Sequence, residues 1–375
     1  MANNIDEVGG AQRVVHVVAQ HLGLRGYPVD LVGVAPHPPR HEYVDDPAFR
    51  RFTLMPEPWP APPKDSRLLT RLTPSVRRLI GTRATLRAAA IRRLGEVLAD
   101  GPPGIVVTSQ LWAMEHLAEV PHDDWVVIGQ YHSSFEAAAA GRDLPRALDL
   151  YADADLVTLL TPEDADRFRR AGLNNTDWLP NPLAFWPLEP ADPAGDGDVI
   201  TYLGRLSAEK GPGFLVDAWA RIADRHPTWR LRFVGSGPDE ESVRRRVAAI
   251  GPAGERVEFA PPVTDAETQL RASSILALPS LTEGLPLVLA EAMAMGLPCV
   301  ATDCSAGVRM LSEDGAAARV VPRADPSALA EALSGLMASP EERATLGARA
   351  RQAVAPYRAD HVIDRWESMF AAALR

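Results

Sequence analysis

The sequence has little cysteine and no long apolar run. Only Cys299 and Cys304 occur among its 375 residues, and they form neither a CxxC redox pair nor part of a larger zinc-ligand set. No apolar run approaches the roughly eighteen residues that a membrane-spanning helix requires, and no secretory signal opens the chain. We therefore expect a protein of the reducing cytoplasm.

Basic residues are fewer than acidic ones, and they are unevenly placed. The formal net charge is −10, which argues against general binding of nucleic acid. Residues 64–94 depart from this average, because nine basic residues and one acidic residue give that segment a net charge of +8. Its leucines predict two helices, broken near Gly81, that pack on the first domain. The alternative is a surface that docks on anionic lipid or an anionic polymer, peripherally at the inner face of the membrane.

The length of the chain favours two domains. Apolar strands and amphipathic helices alternate on both sides of a linker rich in Pro, Gly and Asp at 179–198, which predicts two doubly wound α/β domains with parallel sheets. We place the domains at 1–185 and 199–355. A Rossmann-like half opens with an apolar strand, yet only a short polar stretch precedes Gly9. We therefore expect the first strand to be missing and an apolar segment to lie upstream of Met1.

The stretch 279–293, Pro-Ser-Leu-Thr-Glu-Gly-Leu-Pro-Leu-Val-Leu-Ala-Glu-Ala-Met, follows an apolar strand. It predicts a loop and then a helix that begins at Pro286 and is stopped by Gly296. Unpaired amides and the dipole make a helix N-terminus attract anions. The carboxylates of Glu283 and Glu291 would repel a bare phosphate, so we expect them to accept hydrogen bonds from hydroxyls. Phosphate and hydroxyls together indicate a nucleotide sugar.

A second motif, 201–211, reads Thr-Tyr-Leu-Gly-Arg-Leu-Ser-Ala-Glu-Lys-Gly. A strand ends at Leu203, Gly204 permits close approach of the backbone, and Arg205 and Lys210 supply a guanidinium fork and a point charge. That pair suits a diphosphate. Gly235, in Val-Gly-Ser-Gly-Pro at 234–238, is weaker evidence, because a simple tight turn explains it equally well.

His132 directly follows a predicted strand, where open α/β sheets bind their ligands. Two Asp-Ala-Asp runs, at 153–155 and 164–166, have the spelling of a metal-binding DxD. The first leads into a strand, and the second lies in the first turn of a helix, where acids favour the helix dipole. We interpret both runs as structural and predict no metal site.

The Glu-x7-Glu spacing, with its flanking glycines and prolines, and the run Gly-Arg-x4-Lys-Gly resemble the retaining glycosyltransferases of family GT4 (glycosyl transferases group 1). The resemblance covers essentially the whole chain and is strongest from residue 199 onward. It implies the GT-B fold, in which two Rossmann-like domains face a cleft, and a last helix (356–375) that returns to the first domain.

The resemblance also implies residue roles. Arg205 and Lys210 would hold the donor diphosphate, Glu283 the sugar hydroxyls and Glu291 the ribose, while His132 would contact the donor sugar. The catalytic group is thus His132, Glu283, Arg205 and Lys210, and the wider donor-binding set is Gly9, Gly10, Gly204, Arg205, Lys210, Gly235, Glu283, Gly284, Leu285 and Glu291.

The implied reaction moves a sugar from a nucleoside diphosphate to a hydroxyl acceptor by front-face substitution, without a cofactor or metal. The acceptor would belong to a cell-envelope polysaccharide, glycolipid or glycoconjugate, and could be lipid-linked or an anionic polymer; no nucleic acid is expected. Two alternatives stay open. A nucleotide-sugar epimerase of the same fold would release no nucleoside diphosphate and need no second substrate. A catalytically idle partner subunit would bind nucleotide weakly and transfer nothing.

Overall fold

The computed structural model describes residues 1–61, 74–195 and 197–374. Within it the chain forms two units: residues 1–132, 141–182 and 362–375 make the first, and residues 133–140 and 183–361 make the second. Residues 133–140, which the sequence assigned to the first domain, group with the second unit, where Glu136 Oε1 lies 4.0 Å from a guanidinium nitrogen of Arg309. Of the basic segment, Lys64, Arg67 and Arg71 lie outside the described residues.

The described elements up to Trp178 are α1 (Gly10–Leu24), β1 (Asp30–Gly33), β2 (Arg50–Thr53), α2 (Pro74–Ala99), β3 (Ile105–Thr108), α3 (Leu111–Leu117), β4 (Val126–Gln130), α4 (Phe135–Ala140), α5 (Asp143–Leu150), β5 (Leu156–Leu159), α6 (Pro162–Arg170) and β6 (Thr176–Trp178). All of these except α4 lie in the first unit. The strands form a parallel pair, β1-β2, and a four-stranded parallel sheet in the order β3-β4-β5-β6.

The first residues of the chain fill the position of the predicted missing strand. In the described residues before α1 there is no strand, only a bridge between Ala2 and Gly33. Nevertheless the Ala2 amide donates to the Val32 carbonyl at 2.9 Å, and the Ala2 carbonyl accepts from the Val34 amide at 2.9 Å. On the other side the Met1 amino group donates to the Val107 carbonyl at 2.5 Å. Residues 1 and 2 therefore link β1 to β3 through the backbone.

Helix α2 crosses Gly81 without a break, so the prediction of two helices was wrong. A single glycine in a helix costs only about 1 kcal/mol relative to alanine, and burial elsewhere along the helix outweighs that. The buried face is Leu86, Ala90, Leu94 and Leu98.

The described elements from Val199 onward are β7 (Val199–Leu203), α7 (Pro212–Ile222), β8 (Arg230–Val234), α8 (Glu240–Ala249), β9 (Val257–Ala260), α9 (Ala266–Arg271), β10 (Ile275–Leu278), α10 (Leu287–Ala294), β11 (Cys299–Thr302), α11 (Ala306–Leu311), β12 (Arg319–Val321), α12 (Pro326–Ala338), α13 (Pro340–Val354) and α14 (Ala359–Ala373). The six strands form one parallel sheet in the order β12-β11-β10-β7-β8-β9. The alternation of strand and helix predicted for this half is confirmed.

This topology decides where a site can form in the second unit. The strands β10, β7 and β8 are neighbours and parallel, so the loops after them leave the same edge of the sheet. The order along the sheet reverses beside β7, because β8 follows it on one side and β10 adjoins it on the other. Such a switch point is where open α/β sheets place their ligands.

Helix α14 packs its apolar side within the first unit. Ile363 and Trp366 are at most 1% exposed and share a core with Leu22, Ile128 and Leu179. The second unit has its own core, centred on Trp219, Phe233 and Leu333, each of which is fully buried.

Candidate functional site

The loop after β7 is held against the loop after β8. The Gly204 amide donates to the Val234 carbonyl at 3.0 Å, and the Leu206 amide donates to the Ser236 carbonyl at 3.0 Å. Gly235 has φ +136°, and a β-carbon there would lie 2.1 Å from the Gly204 carbonyl oxygen. This position therefore requires glycine both for its backbone angle and for its close contact. Gly235 does more than turn the chain, since it lets the two loops touch.

The loop after β10 carries Glu283, whose side chain is 9% exposed. Its Oε1 atom accepts a hydrogen bond from the Ser280 hydroxyl at 2.7 Å, and Ser280 is itself fully buried. The Thr302 hydroxyl, at the end of β11, donates to the Ser280 carbonyl. The end of β11 therefore holds Ser280, and Ser280 in turn orients the Glu283 carboxylate.

The two sequence motifs meet at an ion pair. Lys210 Nζ lies 2.7 Å from Glu283 Oε1, across 73 residues of sequence. The loops are also joined through their backbones, because the Leu281 amide donates to the Glu209 carbonyl at 2.8 Å. Gly211, at φ +63°, lies so close to the Pro279 carbonyl that a β-carbon would be 2.2 Å from its oxygen. The Lys210 ammonium and the Glu283 carboxylate, which the sequence places in separate motifs, are therefore neighbours.

Charge in this region is mixed. Arg205 is exposed, and Lys210 retains 31% of its side-chain exposure despite its ion pair. The pKa of Glu209 is lowered by a hydrogen bond from the Ser207 hydroxyl, which lies 2.6 Å from its carboxylate, and further by the charges of Arg205 and Lys210. Two cations and two carboxylates thus lie on two adjoining loops, an arrangement able to hold an anion beside hydroxyl groups.

Helix α10 begins one residue later than predicted. Pro286 has ψ 107° and is the N-cap, so it is not the first helical residue. The Gly284 carbonyl accepts from the Ser305 hydroxyl at 3.0 Å, and Leu285 is 5% exposed. Glu291 lies in this helix, as predicted, and is 1% exposed. Contacts with the start of α11 therefore fix the backbone just ahead of the α10 N-terminus.

The glycine loop lies in the first unit. Gly9 is the N-cap of α1, and Gly10 is the first residue of that helix. The Tyr43 hydroxyl accepts from the Gly9 amide at 2.8 Å and donates to the Glu7 carbonyl at 2.7 Å. One tyrosine, distant in sequence, thus fixes the predicted glycine loop.

His132 lies just after β4, also in the first unit. Its Nε2 atom is 3.0 Å from Gln130 Oε1. Burial lowers the pKa of His132 to about 4, against the opposing effect of a hydrogen bond with Asn181. The imidazole is therefore neutral near pH 7, and this suits hydrogen bonding better than charge compensation.

Structural contacts engage both DxD runs. Asp155 accepts from the Val127 amide at 2.7 Å. Asp164 accepts from the hydroxyl of Thr161, the N-cap of α6, at 2.7 Å, and its own amide donates back to that hydroxyl at 3.0 Å. Asp166 pairs with Arg169 at 2.5 Å. Within residues 1–61, 74–195 and 197–374 no group of three or more His, Cys, Asp or Glu is placed to hold a metal ion.

Sequence reasoning missed three residues that support the site: Tyr202, Ser280 and Tyr43. Each acts through a hydrogen bond whose partner is decided by the fold. Tyr202 and Ser280 lie inside the quoted motifs, so their positions were a usable signal. Tyr43 lies 34 residues from Gly9, and nothing in its local sequence indicates the contact.

Comparison with known proteins identifies a family domain in the second unit. Residues 197–339, which contain all of β7 to β12, match the family described as glycosyl transferases group 1. The second unit therefore carries a group 1 glycosyltransferase domain. The matched range contains Arg205, Lys210, Glu283 and Glu291.

Individual proteins similar to this chain include two glycosyltransferases and a solved structure. An uncharacterized glycosyltransferase of Haemophilus influenzae is 28% identical over 98% of this chain and 97% of its own length. The D-inositol 3-phosphate glycosyltransferase of Frankia alni is 31% identical over 54% of this chain, a match that covers only 50% of that relative. Anabaena HepE, solved in complex with UDP, has a TM-score of 0.75 and 17% identity, covering 99% of this chain and 98% of its own. The fold is therefore GT-B.

Proposed function

We propose that this glycosyltransferase transfers a hexose-like sugar from a nucleoside diphosphate to a hydroxyl acceptor with retention of anomeric configuration. The observation that carries the proposal is the meeting of the two loops, with Lys210 Nζ 2.7 Å from Glu283 Oε1. It brings together a cation that we assign to phosphate and a carboxylate that we assign to hydroxyls. The UDP held by HepE supports a nucleotide as the donor's leaving group.

In the proposed donor complex, Arg205 and Lys210 bind the diphosphate. Lys210 is charged and already oriented by Glu283, so less rotational entropy is lost when phosphate arrives. The amides at the start of α10 add positive potential, since that helix is eight residues long and its first N–H groups lack helical acceptors. These groups supply the electrostatic stabilisation that a departing diphosphate requires.

Glu283 and Glu291 serve hydroxyls in this proposal. The Oε1 atom of Glu283 already accepts from Lys210 and Ser280. A carboxylate has a second oxygen and further lone pairs, and we assign these to a hydroxyl of the donor sugar. Glu291, buried in α10, is assigned to the ribose hydroxyls. Gly204, Gly235, Gly284 and Leu285 let the backbone approach the donor.

The bond changes balance without an added cofactor. The bond from the anomeric carbon to the β-phosphate oxygen breaks, and the acceptor oxygen bonds to that carbon on the same face. The acceptor proton passes to the departing phosphate, which leaves as the nucleoside diphosphate. A neutral His132 is assigned to hydrogen bonding with the donor sugar, and Gly9 and Gly10 to the acceptor side. We propose that no metal takes part, because the cations and amides offset the phosphate charge.

Product analysis tests this proposal. The enzyme is incubated with a panel of UDP-, GDP- and ADP-sugars and candidate hydroxyl acceptors, while released nucleoside diphosphate and the anomeric proton of the product are followed by NMR. We expect nucleoside diphosphate to be released only with an acceptor and the product to keep the donor's configuration. Inversion would contradict retention. Isomerised nucleotide sugar without diphosphate would indicate an epimerase, and absence of any reaction would indicate an idle subunit.

A further inference from the structure

Tyr202 occupies a special position beneath the proposed diphosphate loop. It is the penultimate residue of β7, its side chain is 2% exposed, and its ring lies 5.2 Å from that of Phe233, centroid to centroid. Its hydroxyl, at the far end of the buried ring, donates to the Arg205 carbonyl at 2.6 Å. A buried side chain in the sheet therefore contacts the main chain of the residue assigned to phosphate.

The Arg205 carbonyl is the hydrogen-bond acceptor of the turn that follows β7. It also accepts from the Ser207 amide at 3.0 Å, so two donors converge on one oxygen. The Gly204 amide donates to the carbonyl of Val234, the last residue of β8, and the Leu206 amide donates to the Ser236 carbonyl in the loop that follows, at 3.0 Å each. Three of the contacts that fix the Arg205 main chain are thus backbone bonds, and Tyr202 supplies a side-chain bond.

The side chain of Arg205 depends on this backbone support. It is exposed, and within the described residues no hydrogen bond or ion pair holds its guanidinium, whereas Lys210 is held by Glu283. When no contact holds the end of a long flexible side chain, the conformation of its own backbone chiefly determines where the side chain can reach. The two proposed phosphate ligands are therefore positioned differently, one by an ion pair and the other through the turn.

The tyrosine hydroxyl is suited to act as a permanent donor. Burial and the nearby charges of Glu283 and Glu209 raise the pKa of Tyr202 far above its ordinary value. It therefore keeps its proton near neutral pH. Removing a buried donor that is aimed at a carbonyl costs free energy, since the carbonyl loses one of its hydrogen bonds.

We propose that Tyr202 is a positioning residue for donor binding, whose hydroxyl orients the Arg205 turn so that the guanidinium meets the diphosphate. The inference rests on the proposed function, in which Arg205 binds that diphosphate. It assigns Tyr202 no contact with substrate. Its effect is on the diphosphate and not on the nucleoside part of the donor.

The test is a double-mutant cycle of Tyr202→Phe and Arg205→Ala, read by calorimetric titration with whichever of UDP, GDP and ADP binds the wild type. The matched monophosphate is titrated beside it. Tyr357→Phe is the control, because Tyr357 is another buried tyrosine of the same unit that lies outside the proposed site. Hydrogen exchange of residues 204–208 reports on the turn in the absence of nucleotide.

We expect Tyr202→Phe to weaken diphosphate binding about five- to tenfold, the equivalent of one ordinary hydrogen bond. Monophosphate binding should change less than twofold, and the turn should exchange faster. In the Arg205→Ala background the tyrosine substitution should have no further effect, and Tyr357→Phe should bind like the wild type.

The inference is overturned if Tyr202→Phe binds diphosphate like the wild type while Arg205→Ala does not. It is also overturned if the loss persists undiminished in the Arg205→Ala background, or if diphosphate and monophosphate weaken equally. Unchanged diphosphate binding by Arg205→Ala alone would overturn both this inference and the proposed role of Arg205.

Discussion

The loops of the second unit and the glycine loop of the first differ in how their residues are brought together. In the second unit, Lys210 and Glu283 each belong to a recognisable motif, and the order of parallel strands puts those motifs side by side. In the first unit, Gly9 is fixed by Tyr43 across an irregular segment. When the residues of a site belong to motifs at the ends of neighbouring strands, the strand order predicts that they meet. When a side chain from a distant loop holds the site, the sequence does not predict the contact.

The largest expected effect concerns the contact between the loops after β7 and β8. Gly235→Ala would force a positive φ on alanine and press its β-carbon into the Gly204 carbonyl. We expect a loss of roughly 3 kcal/mol or more in stability, with loss of nucleotide binding. Gly251→Ala is the control, because Gly251 also has a positive φ, +62°, but has nothing within 4 Å of a β-carbon. Similar shifts of the thermal midpoint in the two variants would show that the loop contact is unimportant.

The second prediction tests the donor site proposed where the two motifs of the second unit meet. Lys210→Ala should weaken binding of the nucleoside diphosphate by about 1.5–3 kcal/mol, the cost of one charge-assisted contact, and Glu291→Ala should also weaken it. Calorimetric titration measures both. Arg221→Ala, which removes an exposed charge at the end of α7, serves as the control. Unchanged affinity in both Lys210→Ala and Glu291→Ala would contradict the assignment.

Much of the second unit could be predicted from its sequence, because its strands are apolar runs bounded by glycine and proline. The shortest strands were missed. β6 and β12 have three residues each, too few for a periodic pattern, and β2 opens with Arg50 and Arg51, which indicate a surface. The backbone pairing of Ala2 was also missed, because a single bridged residue leaves no periodic pattern in the sequence. The hydroxyl of Tyr202 could not be assigned a partner, because its acceptor is a carbonyl that only the folded turn presents.

The third prediction concerns the first unit. His132→Gln should lower turnover while changing diphosphate affinity little, because His132 is assigned to the sugar and not to phosphate. It should also alter the pH dependence of stability. The pKa of His132 is about 4 when folded and 6.5 when unfolded, so the unfolded state binds more protons between those values, and stability falls as the pH drops from 6.5 to 4.

Removing this histidine should flatten that part of the curve. Urea unfolding at pH 4.5 and 7 compares the wild type with His132→Gln, and His37→Gln, which removes an exposed histidine, is the control. An unchanged difference between the two pH values in the His132 variant would show that its imidazole is not held neutral by burial.

A smaller effect is expected for the basic helix α2. Arg77, Arg78 and Arg92 are exposed on it, and no helix in the described part of the chain is long and apolar enough to cross a membrane. Under the alternative interpretation, peripheral docking on anionic lipid, each arginine would contribute about 1 kcal/mol, and salt would screen that contribution. Sedimentation with anionic and neutral vesicles should show binding only to the former at low salt. Binding that survives when these arginines are changed to glutamate would contradict that interpretation.

The smallest effect is expected from removing divalent ions. Asp155 and Asp164 accept backbone or hydroxyl hydrogen bonds, so we predict that a chelator leaves transfer within about twofold of its untreated rate. Transfer lost to the chelator and restored by manganese would show that a DxD run binds metal in the reaction.

The most direct test of the donor site proposed at the two motifs is chemical modification of lysine, because the chain has so few lysines. The chain has only two lysines, Lys64 and Lys210, and Lys210 is accessible enough to react, with 31% of its side chain exposed. Acylation by an amine-directed reagent is followed by peptide mass spectrometry with and without saturating UDP, GDP or ADP. We predict that one of these nucleotides slows modification of Lys210 at least tenfold and leaves that of Lys64 unchanged. Equal modification of Lys210 with a nucleotide shown to be bound would contradict the account.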